Sequence, residues 1–122
     1  MIENAEFCSF YVLFFDIEPS GAPENVSAFI TGARRVLVTW KPVPLSEQNG
    51  IITGYTVYYR AVQGNFVNDT EQSLRVNASV TTVEVSQLEE YVTYNVSVSA
   101  HTSAGEGPRS KGVVVRTAEA SE

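Results

Sequence analysis

The chain has 122 residues, and its 8 Lys and Arg against 14 Asp and Glu give a net charge of −6. This length accommodates one domain that can bury a hydrophobic core of its own. The acidic balance disfavours nucleic acid and heparin-like partners, since both are polyanions. A single cysteine, Cys8, excludes an internal disulfide framework.

From Pro19 onward, short segments rich in Val, Ile, Thr and Tyr alternate apolar and polar residues between Gly, Pro and Asn clusters. The pattern predicts an all-β domain with strands at residues 25–29, 36–40, 52–60, about 74–76, 81–86, 94–100 and 113–116. The Gly-Glu-Gly-Pro segment at residues 105–108 is predicted to be a loop. Seven short strands at this spacing favour a sandwich of two antiparallel sheets.

The two-residue period of a strand separates inward from outward side chains. Applied to the predicted strands, it places Trp40, Tyr55, Val57, Tyr94 and Val96 in the core. A true immunoglobulin domain would carry a cysteine pair on either side of its core tryptophan. The predicted strands contain no cysteine, which argues against that family.

Several motifs between residues 19 and 118 together resemble the fibronectin type III domain. They are Gly21-Ala22-Pro23-Glu24-Asn25-Val26, Val38-Thr39-Trp40-Lys41-Pro42, Asn49-Gly50-Ile51-Ile52-Thr53-Gly54-Tyr55-Thr56-Val57-Tyr58-Tyr59-Arg60, Leu88 followed six residues later by Tyr94, and Gly105-Glu106-Gly107-Pro108. The resemblance implies a seven-stranded antiparallel immunoglobulin-like sandwich over residues 19–118.

The same resemblance assigns structural roles to three residues. Trp40 is expected to pack between the sheets, and Leu88 is expected to belong to the core. Tyr94 matches the tyrosine corner, in which the ring is buried and the hydroxyl bonds backbone a few residues upstream, here around residues 88–91.

The sequence offers no arrangement typical of catalysis or metal binding. His101, Ser103 and Glu106 fall in one predicted loop, without the pocket and orienting scaffold that a catalytic triad needs. Cys8 and His101 would supply two zinc ligands where about four are needed. We therefore expect no enzymatic activity, no cofactor and no metal.

Four Asn-x-Ser/Thr sequons occur, at Asn25, Asn68, Asn77 and Asn95. Asn95 alternates with two inward residues, so its side chain is expected to face outward. Asn68 and Asn77 fall in or beside predicted loops. The sequons predict an extracellular glycoprotein with sugars on both sheets, although a Thr- and Ser-rich β protein can also contain sequons by chance.

Residues 1–18 do not match the domain. Their apolar run, residues 7–15, is shorter than the roughly 20 residues of a membrane span. Glu3 and Glu6 precede it where a secretory signal carries basic residues. The segment is interpreted as an incorrectly placed gene start, a signal-like segment or part of a preceding domain. Residues 119–122 are interpreted as the start of a linker.

The expected function is that of a non-catalytic extracellular module for protein interaction or spacing in a larger cell-surface adhesion or receptor protein. The chain is similar to repeats of receptor-type tyrosine phosphatases and of sidekick- and neogenin-like adhesion receptors. Expected partners are other cell-surface or matrix proteins and neighbouring domains of a tandem array, with no nucleic acid and no direct membrane contact. The alternatives are a module attached to an enzyme, such as a receptor-type tyrosine phosphatase, and an intracellular muscle-type structural array.

Overall fold

The structure is a computed structural model that describes residues 17–63 and 70–118. The expectations for Cys8, Asn68, the apolar run and residues 119–122 concern residues outside these ranges. In chain order, the described elements are β1 (Glu24–Gly32), β2 (Arg35–Lys41), α1 (Leu45–Gln48), β3 (Gly54–Gln63), β4 (Gln72–Asn77), β5 (Thr82–Val85), β6 (Thr93–Thr102), β7 (Gly105–Arg109) and β8 (Val113–Arg116).

The strands form two antiparallel sheets, which confirms the predicted sandwich. One sheet has three strands in the order β1-β2-β5. The other has five strands, in which β4-β3-β6-β7 are adjacent and β8 also pairs with β6. Strands β7 and β8 follow the same side of β6, at its C-terminal and N-terminal halves respectively.

The prediction of a loop at residues 105–108 is wrong, because these residues belong to β7. Strand β6 continues to Thr102 and pairs with β7, so His101 lies in a strand opposite Glu106 and not in a loop. A register shift between Ser99 and His101 accommodates an extra residue of β7. Pro108 fits this strand because a bulge at a sheet edge does not require its missing N–H.

Ser110 connects the two halves of this edge. Its backbone N–H donates to the carbonyl of Val98 at 2.8 Å, and the Val98 N–H donates to the Ser110 hydroxyl at 3.0 Å. Ser110 therefore continues the hydrogen bonding to β6 in the gap between the end of β7 and the start of β8.

The core lies between the sheets and contains the single tryptophan of the chain. Trp40 is 4% exposed, and its ring centroid lies 5.5 Å from that of Tyr55, with the planes tilted by 58°. Aromatic pairs favour such tilted contacts. Val57, Leu88 and Val96 are buried in the same cluster.

Tyr94 anchors the turn before β6. It is 6% exposed, and its hydroxyl accepts a hydrogen bond from the backbone N–H of Glu89 at 2.8 Å. This contact lies within residues 88–91, the segment that the tyrosine-corner motif indicates. A buried ring and a tied hydroxyl together fix where β6 begins.

Candidate functional site

A cluster of polar side chains covers the outer face of the five-stranded sheet. Valine and alanine side chains of β3 and β6 point to the core, so the residues between them point outward. We call the outward cluster the polar face; it consists of Tyr58, Arg75, Ser99, His101, Glu106 and Arg109. Cross-strand register brings these residues together from β3, β4, β6 and β7.

Glu106 is the centre of the polar face. Its carboxylate accepts hydrogen bonds from the hydroxyls of Tyr58 and Ser99, and Ser99 is fully buried. Burial alone would raise the pKa of Glu106, but these hydrogen bonds, the charge of Arg109 and the charge that His101 carries once protonated outweigh it and leave that pKa below its usual value. The carboxyl group is therefore ionised at neutral pH and acts as an acceptor only.

Arg109 lies on the solvent side of the polar face and contacts Tyr58 and Glu71. Its guanidinium carbon lies 3.6 Å from the centroid of the Tyr58 ring, a cation–π geometry. Two of its nitrogens bond the Glu71 carboxylate at 2.6 and 3.0 Å. The hydrogen bonds from Arg109 lower the pKa of Glu71, although burial slightly opposes this. Because both groups are exposed, the pair contributes little to stability.

His101 is a buried neutral base held by a cation. Its Nδ1 lies 3.0 Å from Nη2 of Arg75, and since a guanidinium only donates, Nδ1 accepts and the ring proton is assigned to Nε2. Burial lowers the pKa of His101, the charge of Arg75 lowers it further, and Glu106 partly opposes both. Nε2 is buried and has no hydrogen-bond partner among the described residues.

A shallow cavity of about 300 Å³ opens on the polar face. It is lined by Thr56, Tyr58, Arg75, His101, Thr102, Ser103, Gly105 and Glu106. Ser103 lies in the turn between β6 and β7, while the hydroxyl that bonds Glu106 belongs to Ser99. Of the residues that could have formed a triad, His101 is therefore bonded to Arg75, and Glu106 is bonded to Ser99 and Tyr58. Within residues 17–63 and 70–118, no group of three His, Cys, Asp or Glu residues is placed to hold a metal ion.

Three of the four sequon asparagines are described, and all three are exposed. Asn25 lies near the start of β1 with a φ of 53°, a left-handed conformation that asparagine tolerates better than most residues. Asn77 is the last residue of β4. Asn95 lies in β6 against Gly112, where an added Cβ would meet the Asn95 Oδ1 at 2.4 Å.

Sequence reasoning missed four members of the polar face: Tyr58, Arg75, Ser99 and Arg109. The two-residue period does place Ser99 on the same outer side as His101, and Tyr58 on the outer side of its own strand. What could not be read from the pattern is the register that sets these strands side by side. Nothing in the sequence marks Glu106 as a strand residue, since Gly and Pro surround it.

None of the helices in the described part of the chain combines the length and the apolar character needed to cross a membrane.

Comparisons with known proteins converge on one family. A family model described as the fibronectin type III domain matches residues 21–116. The chain is 41% identical over 92 residues to protein sidekick-2 of Mus musculus, covering 75% of this chain and 4% of that protein. It is 39% identical over 103 residues to receptor-type tyrosine-protein phosphatase F of Mus musculus, covering 83% of this chain and 5% of that protein.

A solved structure agrees with these sequence relatives. The third fibronectin III domain of the human KIAA0343 protein superposes with a TM-score of 0.77 at 31% identity, covering 85% of this chain and 86% of that domain. The fold is thus matched over nearly the whole of a single solved domain, whereas the chain spans only 4–5% of the curated relatives it matches.

Proposed function

Because the chain belongs to the fibronectin type III family, we propose that it is a non-catalytic module for protein interaction and spacing in the extracellular part of a larger cell-surface adhesion receptor. The module comprises residues 19–118. The observation that carries the proposal is its match to small parts of two much longer proteins, one of them named a receptor-type phosphatase. A short domain within a long chain offers a surface to which partners can bind and sets the distance between its neighbouring domains.

The partners on the polar face support a non-catalytic role. A general base needs a lone pair that can reach a substrate. The Nδ1 lone pair of His101 already accepts from Arg75, and its Nε2 is closed to solvent. Glu106 is likewise engaged by Ser99 and Tyr58. These groups hold the strands of the sheet together and leave no free pair of acid and base.

The sequons support an extracellular location. Asn25 lies on the three-stranded sheet, whereas Asn77 and Asn95 lie on the five-stranded sheet, and all three are exposed. Sugars on both sheets would not enter the core between them. N-linked glycans are added to proteins of the secretory route, so outward sequons on both sheets fit a module outside the cell.

One end of the sandwich fits contact with a neighbouring module. Leu45 is 86% exposed and Ile51 is 79% exposed, so this end of the domain offers two apolar side chains to a neighbour. Between them, Asn49 donates from Nδ2 to the carbonyl of Glu18 at 3.2 Å, so they lie where the chain enters the domain. In a tandem array, a preceding module would cover these side chains.

A module attached to an enzyme is the second candidate, and the match to receptor-type tyrosine-protein phosphatase F favours it. In that arrangement the role of this domain is unchanged, because the chemistry belongs to a different domain. An intracellular muscle-type array would differ, since its sequons would carry no sugar.

Surface labelling of intact cells tests the proposal. An antibody raised against residues 17–118 is expected to stain unpermeabilised cells that express the natural full-length protein. Staining confined to permeabilised cells would refute the extracellular assignment. A cytoplasmic epitope tag on the same protein serves as the control, because it should be reached only after permeabilisation.

A further inference from the structure

We infer that Asn25 carries an N-linked glycan whose first N-acetylglucosamine packs in a groove between β1 and β8, where it contacts both sheets of the sandwich. This inference rests on the proposed extracellular function and assigns a structural role to one of its sequons. It predicts that one sugar residue stabilises the fold, which mere exposure of the sequon does not.

A cavity of about 240 Å³ lies between the start of β1 and the segment that leads into β8. We call it the edge groove; it is lined by Pro23, Asn25, Val26, Ser110, Lys111, Gly112 and Val113. The proline and the two valines are buried or half-buried and form apolar walls, whereas Asn25, Lys111 and Gly112 are exposed and form the rim. The groove is therefore open to solvent at the residue that carries the sequon.

The edge groove separates two strands that belong to different sheets. Strand β1 pairs with β2 in the three-stranded sheet, and β8 pairs with β6 in the five-stranded sheet. Val26 of β1 packs against the core from one side of the groove, while Val113 of β8 is paired with Val96 on the other. A group seated in the groove would thus contact both sheets at an edge where no strand ladder joins them.

The backbone at Asn25 has an uncommon conformation. Between Glu24 and Ser27, β1 has two residues where β2 has one, which is a β-bulge. Asn25 is the first of these two residues, and its φ of 53° is one that glycine usually supplies at the first position of such a bulge. Glycine would adopt this conformation with less strain but would offer no amide. Asparagine keeps the bulge and, within its sequon, provides a glycosylation acceptor at the rim of the groove.

The amide of Asn25 and the ammonium group of Lys111 are both available to a sugar. Neither side chain forms a hydrogen bond with a described residue. The Ser110 hydroxyl, in contrast, is engaged: it accepts from the Val98 N–H at 3.0 Å and donates to the carbonyl of Lys111 at 3.3 Å. Lys111 is therefore the donor that the edge groove can offer to a ligand.

N-acetylglucosamine matches this combination of apolar walls and a cationic donor. Its acetyl methyl group and the apolar face of its ring would be covered by Val26 and Val113. Its acetamide and hydroxyl oxygens are acceptors for the three N–H groups of Lys111. Because the sugar would be linked to a residue of the rim itself, it would enter the groove without crossing another side chain's position.

Asn77 provides the matched comparison. It is also an exposed sequon in a strand, but its Oδ1 is bonded within its own turn to the Ser79 hydroxyl at 2.8 Å. It does not belong to the residues that line the edge groove. A sugar on Asn77 is expected to remain in solvent, so its removal should leave the stability of the domain unchanged.

The experiment uses the full 122-residue chain, secreted from an animal cell line behind an added signal peptide. One variant keeps only the Asn25 sequon, through Asn68→Gln, Asn77→Gln and Ser97→Ala. The control variant keeps only the Asn77 sequon, through Ser27→Ala, Asn68→Gln and Ser97→Ala. Changing the two serines removes a sequon while leaving its asparagine in place. An endoglycosidase trims each protein to one N-acetylglucosamine, and the same polypeptide made in bacterial cells is the sugar-free form.

Mass, NMR and thermal unfolding compare the two forms of each variant. The acetyl methyl group of the sugar on Asn25 is expected to show nuclear Overhauser contacts with Val26 and Val113. This sugar should raise the melting temperature by about 4 °C, the size of shift that one added favourable interaction gives in such a domain. Lys111→Ala should reduce that rise and leave the sugar-free form unchanged, because Lys111 is exposed. The sugar on Asn77 should show neither the contacts nor the rise.

Four results would overturn the inference. The first is an Asn25 that gains no sugar, and the second is an occupied Asn25 whose acetyl methyl group contacts neither valine. The third is a sugar on Asn25 that raises the melting temperature no more than the sugar on Asn77 does. The fourth is a rise that Lys111→Ala does not reduce, since the sugar would then lie outside the edge groove.

These outcomes are separable from the proposed function. The added signal peptide brings the chain to the glycosylation machinery whatever the location of its natural parent, so failure here leaves the surface-labelling result standing. Conversely, a parent protein confined to the cytosol would refute the extracellular function even if Asn25 accepts a sugar in the secreted chain.

Discussion

Tyr94 permits the contributions of a buried ring and of its hydroxyl to be separated by two substitutions. Tyr94→Ala removes a side chain that is 6% exposed and leaves a cavity beside Leu88 and Val96, which should cost about 3–5 kcal/mol. Tyr94→Phe keeps the ring and removes only the acceptor of the 2.8 Å bond from Glu89, for a cost of about 1 kcal/mol.

Urea unfolding followed by circular dichroism measures both variants. The decreases in the two urea midpoints should stand in the same ratio as these costs. The slope of the unfolding free energy against urea concentration should not change. Tyr91→Ala is the control: Tyr91 is 53% exposed and lies under the guanidinium of Arg116, so its loss should cost less than about 1 kcal/mol. An unchanged midpoint for Tyr94→Ala, or a Tyr94→Phe as damaging as Tyr94→Ala, would contradict the tyrosine-corner geometry.

Three further outcomes are expected. Trp40→Ala should cost about 3–5 kcal/mol of unfolding free energy. Trp40→Phe should cost less, because the buried Nε1 of Trp40 has no hydrogen-bond partner among the described residues and its loss breaks no bond there. Chemical denaturation followed by circular dichroism compares the two variants. Because burial lowers the pKa of His101 in the folded state below its ordinary 6.5, the unfolded chain binds the proton more readily. The contribution of His101 to the unfolding free energy should therefore be constant above about pH 6.5 and decrease on acidification below it. A His101→Gln variant titrated in parallel should lack this part of the decrease and keep the part that Glu71 and Glu106 add at lower pH. Glu106→Ala should cost about 1–3 kcal/mol of unfolding free energy, because it leaves the buried Ser99 hydroxyl unpaired. Glu71→Ala removes an exposed ion pair and should cost at most about 1 kcal/mol. Equal melting temperatures for the two variants would contradict the hydrogen bonds assigned to Glu106.

The strands that alternate cleanly were predictable because their signal is local. Residues 113–116 were predicted as a strand with the bounds that β8 has, and the predicted strand at 36–40 lies within β2. In these segments, polar and apolar residues occupy opposite sides and nothing disturbs the two-residue period. The family resemblance, with Trp40 and Tyr94 at its centre, then selected one sandwich among the all-β folds.

Strand β7 was not predictable by the same means. Its sequence, with two glycines and a proline in five residues, is typical of a turn. It becomes a strand because β6 extends to Thr102 and offers a free edge, and because the register shift after Ser99 absorbs the residue that does not fit. Pairing with a neighbour therefore overrode a local preference.

The sequence by itself determined which side chains of each strand face the core, because alternation is a property of neighbouring residues in one strand. Alternation thereby determined the outward direction of the sequon at Asn95, while the motifs around Trp40 and Tyr94 indicated the family. Only the tertiary structure decided that Glu106 meets Ser99 and Tyr58, and that Asn77 lies across Gly54 from His101. Those meetings depend on the register between strands distant in sequence, which turns, bulges and core packing fix together.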